Sequence, residues 1–197
     1  FTVPLLHLFG GIDKVPLLPI FVNGAAPPFA SLARTRKFGE AVGRWIADTG
    51  KRVLIIGSGG LSHEPPVPLI NDAPPPVADF LINGGAVPYE ARVAMQPEVM
   101  EACRGIIAGK VPCTHPLNPD WDRWVLDRFV AGDLDTISAL KDDDVTRDGG
   151  NSAHEIRSWT AAYGALSMNG NFETQVKFYE PIEEWMVGTA LAEARLV

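Results

Sequence analysis

Four apolar residues, Val53, Leu54, Ile55 and Ile56, follow the cations Lys51 and Arg52 and run directly into Gly57-Ser58-Gly59-Gly60. A short aliphatic run rich in β-branched residues and closed by glycine predicts a strand buried on both faces. Upstream, Phe38, Val42, Trp45 and Ile46 fall at i, i+4, i+7 and i+8. That spacing predicts a helix over 29–49 with those residues as its buried face, stopped by Gly50. Residues 15–23 offer an earlier strand, whose Pro16 and Pro19 suit an edge. Strand, helix and strand in this order predict a right-handed parallel βαβ unit.

The pattern continues less evenly on both sides. Residues 1–11 are apolar except for His7, which reads as a core or interface histidine. Residues 68–88 hold Pro74-Pro75-Pro76 and Gly84-Gly85 and read as a surface excursion. A helix over 97–109 places Val99, Cys103, Ile106 and Ile107 on one side, making Cys103 a core residue. Asn118 as N-cap and Pro119 at the first helical position mark a helix start, with Trp121, Trp124, Val125 and Phe129 facing inward. Leu134, Ile137 and Leu140 predict a short helix, and Asp142-Asp143-Asp144 a solvated loop. Ile156, Trp159, Thr160, Tyr163 and Leu166 predict another helix face. In 172–180, Phe172, Thr174, Val176 and Phe178 alternate with polar residues as in a half-buried strand. The expected architecture is one α/β domain over 1–197, a central mostly parallel sheet with flanking helices, with 53–56 at its centre.

Composition narrows the function. With 46% hydrophobic and 21% charged residues the chain is of ordinary globular type. A net charge of −7 argues against nucleic acid or an anionic membrane as partner. No apolar stretch approaches the ~18 residues of a membrane span. Cys103 and Cys113 form no disulfide framework, so reduced thiols and a cytoplasmic location are expected.

Chemistry concentrates in two places. A polar loop at the carboxyl end of a buried strand is where open α/β sheets bind ligands, and this loop delivers His63. Histidine exchanges protons near neutral pH, although a loop histidine can equally cap a backbone group. Gly59, Gly60 and Ser62 beside it are candidates to line a substrate pocket. The dinucleotide fingerprint fails, because Ser62 stands where its third glycine belongs and Pro65-Pro66 follow. Neither Ser58 nor Ser62 fits a nucleophile elbow, which argues against a hydrolase. The second place is Glu155. Ser152-x-x-Glu155 fits a capping box, yet Glu155 borders an apolar helix face, where a carboxylate without a cation or metal is costly. Both readings stay open. For His115, Asp120 and Asp122, the helix dipole explains the acids better than a metal does.

Three stretches then resemble one family. They are Gly57-Ser58-Gly59-Gly60-Leu61-Ser62-His63 with Pro65-Pro66-Val67-Pro68, Gly150 through Glu155-Ile156 to Trp159, and Tyr179 to Trp185 as Y-x-P-I-x-E-W. Together they resemble the class III extradiol ring-cleavage dioxygenases of the LigB type, closest to those acting on 2,3-dihydroxyphenylpropionate. The resemblance implies a LigB-like fold and cleavage of a substituted catechol by dioxygen at a non-haem Fe(II). It further implies Glu155 as the carboxylate iron ligand and His63 as acid–base catalyst. The family's two iron-binding histidines and a second acid–base histidine lie N-terminal to the position of Phe1. The chain therefore resembles the C-terminal part of such an enzyme and should not complete an iron triad alone. A homo-oligomer is expected. The alternative is a non-catalytic partner subunit or scaffold of the same fold, but such a subunit has no chemical need for both His63 and Glu155.

Overall fold

The computed structural model describes residues 2–66, 70, 73–83 and 88–197. In chain order it forms helices α1 (Thr2–Phe9), α2 (Leu32–Thr49), α3 (Pro75–Asn83), α4 (Tyr89–Ile107), α5 (Pro119–Val130), α6 (Leu134–Ala139) and α7 (Asp142–Gly149). A 3-10 turn over Ala153–Glu155 leads into α8 (Ile156–Ser167), and an antiparallel hairpin of β1 (Phe172–Ile182) and β2 (Val187–Leu196) ends the chain.

Helix α2 begins where the Ser31 hydroxyl accepts from the Arg34 amide, and it ends in left-handed Gly50. Its buried face is Leu32, Thr35, Gly39, Gly43 and Ile46, which corrects the face expected from the sequence. Phe38 and Trp45 are 44% and 55% exposed. The reason is that α2 crosses α8 backbone to backbone. A Cβ on Gly39 would lie 2.8 Å from the carbonyl carbon of Ala161, and one on Gly43 2.9 Å from that of Ala165. Only glycine permits so close an approach, and the large residues are turned outward.

Helix α5 starts as expected, with the Asn118 side chain accepting from the Trp121 amide and Pro119 at the first helical position. Phe129 of α5 stacks on Tyr163 of α8 with ring centroids 4.7 Å apart. Val125, Ile137, Val145 and Ile156 close the core around them without solvent contact. Cys103 is buried, as its helix face implies, although α4 begins eight residues before the expected start and carries Pro97 inside.

Several expectations are corrected. Among the described residues the only sheet is the β1–β2 hairpin, and there is no parallel sheet. Residues 53–57 form no regular element and make no main-chain hydrogen bond among the described residues. Val53, Leu54 and Ile56 are 48%, 64% and 43% exposed. A strand needs neighbours along its edges, and the described residues provide none. Instead the segment lies along α8, with Gly57 too close to the Ser158 carbonyl to accommodate a side chain comfortably. Residues 16–24 form no strand either, and His7 sits exposed on α1 rather than in a core. Asp142 to Asp144 form the first turn of α7, where the helix dipole favours acids. The excursion over 68–88 contains α3, and its positions 68, 69, 71, 72 and 84–87 lie outside the described residues.

Strand β1 keeps its alternation only to Val176. Val176 pairs with Ala192 but Phe178 with Leu191, so Lys177 is an extra, bulged residue. Beyond the bulge the phase inverts: Phe178 faces solvent and Tyr179 turns inward. The expected inward Phe178 is thus corrected by one inserted position.

Behind the 3-10 turn lies a buried cation. Arg157 donates to the Ala30 carbonyl, to the Asp142 carboxylate and, at 2.6 Å, to Nδ1 of His154. Arginine has no acceptor, so His154 Nδ1 is unprotonated and Nε2 donates to the Thr146 hydroxyl at 2.8 Å. Burial first, and the Arg157 charge second, lower the His154 pKa to about 4. The unfolded chain titrates this group near 6.5, so below that pH the unfolded state binds the extra proton and stability falls as pH drops towards about 4. The expected loss is roughly 3 kcal/mol at full effect. Unfolding free energies at pH 7 and pH 4.5, compared with those of His154→Gln, should show a shallower decline in the variant; parallel declines would refute the assignment.

Candidate active site

The loop that carries His63 is tied down along its length. The Leu61 amide donates to Gly188 O (2.8 Å), the Gly188 amide to Ser62 O (2.7 Å) and the Glu64 amide to Met186 O (3.2 Å). His63 itself bridges Val187, its amide donates to Gly149 O (2.7 Å), and its carbonyl accepts from Ser152 N (3.0 Å). The tip of the β1–β2 hairpin therefore acts as a clamp, made by Met186, Val187 and Gly188 directly after the Tyr179–Trp185 stretch. Met186 makes the tip turn in the left-handed region, at φ 53. Gly150 is needed beside it: at φ +94, with its Cβ position 2.7 Å from the His63 carbonyl, no other residue fits without strain.

Glu155 is not part of a capping box. The Ser152 side chain makes no cap bond, and Glu155 makes none to the Ser152 amide. Its Oε2 instead accepts from the Gly60 amide at 2.6 Å. Gly24 and Gly59 press against the Glu155 backbone, their Cβ positions 3.0 Å from its Cα and 2.8 Å from its carbonyl oxygen respectively. The Gly59 carbonyl is fixed in turn by the Trp159 indole N–H at 2.9 Å. Thus the Gly-rich loop and the 3-10 turn, remote in sequence, share one seam.

Across that seam His63 Nδ1 stands 3.9 Å from Glu155 Oε2, and this buried nitrogen has no hydrogen-bond partner among the described residues. Gly60 packs at this point against the Val187 side chain; a Cβ there would collide with Val187 Cγ2 and lie 3.3 Å from His63 Nδ1 and 3.7 Å from Glu155 Oε2. Burial lowers the His63 pKa below its ordinary value, opposed by the charges of Glu155 and Glu64. The net effect of this environment favours the neutral imidazole.

Of the other candidates, Gly59 and Gly60 line the seam. Ser62 does not: it is fully buried, with its hydroxyl donating to Asp122 and accepting from the Asn118 amide. His115, Asp120 and Asp122 are not brought together. Asp120 is fully exposed, Asp122 faces Ser62, and His115 Nδ1 lies 3.3 Å from Glu64 Oε2. Glu64, missed by the sequence reading, anchors the Gly150 turn by accepting from Asn151 N (2.6 Å) and Nδ2 (2.9 Å). Asp122 was discounted there as a dipole residue, although an acid at i with Val125 and Phe129 at i+3 and i+7 places a charge on an apolar face.

A carboxylate and an imidazole are the donor types of non-haem Fe(II) sites. Among the described residues, however, no group of three His, Cys, Asp or Glu side chains could hold a metal ion. Among them, too, no helix is long and apolar enough to cross a membrane.

Residues 1–190 match the family described as the catalytic LigB subunit of aromatic ring-opening dioxygenase, and the chain belongs to that family. It is 45% identical over 190 residues to a 2,3-dihydroxyphenylpropionate/2,3-dihydroxicinnamic acid 1,2-dioxygenase of Cupriavidus pinatubonensis (strain JMP 134 / LMG 1197), covering 96% of this chain and 60% of that protein. A similarly named protein of Dechloromonas aromatica (strain RCB) is 42% identical over 194 residues, 98% of this chain and 62% of its own length. The chain thus spans about 60% of the length of the curated relatives it matches.

Proposed function

We propose that this chain supplies the carboxylate ligand and the proton-transfer histidine of an Fe(II)-dependent extradiol dioxygenase that opens a substituted catechol such as 2,3-dihydroxyphenylpropionate. The observation that carries this reading is the convergence of His63 and Glu155 at 3.9 Å, with Glu155 free of any capping role. When bound, the iron supplies a Lewis-acidic, redox-active centre at which catechol and dioxygen meet. Glu155 presents an anionic oxygen to it, oriented by the Gly60 amide. His63, neutral and unpartnered at Nδ1, takes a proton from a substrate hydroxyl and returns it to the departing oxygen. Gly59 and Gly60 let the substrate approach the main chain.

Two further parts of this reading concern the longer protein. Residues 53–56, unpaired among the described residues, become an inner strand of a mostly parallel sheet whose other strands lie in the length of the relatives that this chain does not span. The remaining iron ligands come from the same source, and the active form is a cytoplasmic homo-oligomer. The orphaned His63 nitrogen speaks against a non-catalytic scaffold, which would gain nothing from leaving it unbonded.

The test is Glu155→Gln in the full-length enzyme, with iron stoichiometry and catechol cleavage measured together. Removing the negative charge should lower iron occupancy well below half and reduce turnover in proportion, while the metal-free melting temperature stays unchanged. Normal occupancy with normal turnover would show that Glu155 does not bind iron.

A further inference from the structure

We propose that Asp122 is the positioning residue that holds the His63 imidazole in the site, acting through Ser62, Tyr179 and Gly188. This rests on the ring-cleavage reading above. Asp122 lies in the first turn of α5 and is completely buried. Its Oδ1 accepts from the Ser62 amide at 2.6 Å, and its Oδ2 accepts from the Ser62 hydroxyl at 2.9 Å and the Tyr179 hydroxyl at 2.8 Å. The Ser62 hydroxyl accepts in turn from the Asn118 amide at 3.0 Å, so the helix N-cap and the loop share one oxygen. Gly188 packs directly on the carboxylate; a Cβ there would stand 2.8 Å from Asp122 Cγ.

These contacts meet at the residues that flank His63. Ser62 precedes it in the chain, and Gly188 follows Val187, its bridge partner. The bulge at Lys177 is what turns Tyr179 inward to reach the same carboxylate. No lysine, arginine or histidine side chain lies within ion-pair distance of Asp122 among the described residues. Burial accordingly pushes its pKa up, against the pull of the Ser62 and Tyr179 donors. An acid so placed is costly, and stability alone would be served better by an apolar residue in line with Val125 and Phe129. What a carboxylate adds is direction: three donors from two elements fix the height and tilt of the loop that aims His63.

The experiment uses the full-length enzyme with Asp122→Asn and, as a milder change that removes one hydroxyl and keeps the ring, Tyr179→Phe. Asp122→Asn should lower kcat by about tenfold or more with KM for the catechol and iron stoichiometry unchanged, as a misaimed proton-transfer group requires. Tyr179→Phe should move kcat in the same direction by less. Combining Asp122→Asn with His63→Ala should cost no more than His63→Ala alone, because both act through one imidazole. Side-chain NMR resonances of His63 should shift in both single variants while those of exposed His7 do not. Wild-type kcat in Asp122→Asn, losses that multiply with His63→Ala, or unmoved His63 resonances would each overturn the proposal. If the unmodified enzyme opens no catechol, the ring-cleavage reading fails, and the His63 resonances alone then decide whether Asp122 positions the ring. Should Asp122→Asn fail to fold, Tyr179→Phe is read by the same kcat and resonance criteria.

Discussion

His63→Ala in the full-length enzyme is expected to slow ring opening by roughly 100-fold or more while iron occupancy stays near that of the unmodified protein. The magnitude is that of a positioned acid–base group, typically ~10²–10⁴. Iron should be spared because the Glu155 carboxylate is held by the Gly60 amide and by the pressure of Gly24 and Gly59, none of which depends on the imidazole. The loop should also keep its place, since its ties to Gly149, Met186, Gly188 and Ser152 are all made by main-chain atoms. The variant therefore separates proton transfer from metal binding. Added imidazole should recover part of the rate by entering the space the side chain leaves. Iron loss as deep as in Glu155→Gln would show that His63 is a ligand, and an undiminished rate would remove it from the chemistry.

The second large effect belongs to the α2–α8 crossing. Gly39→Leu should abolish cooperative unfolding of this chain or lower its melting temperature by roughly 10 °C, whereas Phe38→Ala should shift it by no more than a few degrees. Two opposing quantities decide the sign. Replacing a helical glycine by leucine improves intrinsic propensity by somewhat under ~1 kcal/mol. Against that, the new side chain enters a contact where even a Cβ would sit 2.8 Å from the Ala161 carbonyl carbon. Overpacking a core costs about 1–3 kcal/mol when side chains can yield, and a helix backbone yields less. Phe38, 44% exposed, has little to lose. Thermal melts by circular dichroism distinguish the two; a larger loss for Phe38→Ala would mean the helices do not cross through glycine.

That comparison shows where the sequence is readable. Local chemistry is legible: Asn118 and Pro119 announce their helix, and Gly50 ends α2. Relationships that depend on a distant partner are not. The buried face of α2 follows from the glycines that meet α8, and a hydrophobicity pattern gives glycine no weight. The inversion of β1 after Val176 depends on one bulged residue that period-two alternation does not foresee. Glu155 carries two local readings, and its actual partner, the Gly60 amide, lies 95 positions earlier in the chain, where no local pattern finds it. Asp122 was legible in principle, as an acid on an apolar stripe, but its partners Ser62 and Tyr179 lie 60 and 57 positions away. The parallel sheet is absent among the described residues for a related reason. Residues 53–56 have the composition of an inner strand, and composition does not supply the neighbours an inner strand requires.

The same uncovered segment sets how the chain behaves in company. Between Arg52 and His63 there is no charged side chain, and Val53, Leu54 and Ile56 are exposed along a main chain whose donors and acceptors are unengaged over 53–57 among the described residues. Such a stretch is a template for adding strands from any chain nearby, its own copies included. Colloidal behaviour should then track protein concentration more steeply than a net charge of −7 would suggest. During synthesis the interval before this run is covered is the one in which chaperones and proteases compete for it. The residues that lead into the aim of His63 are thus also those on which the yield of folded protein turns.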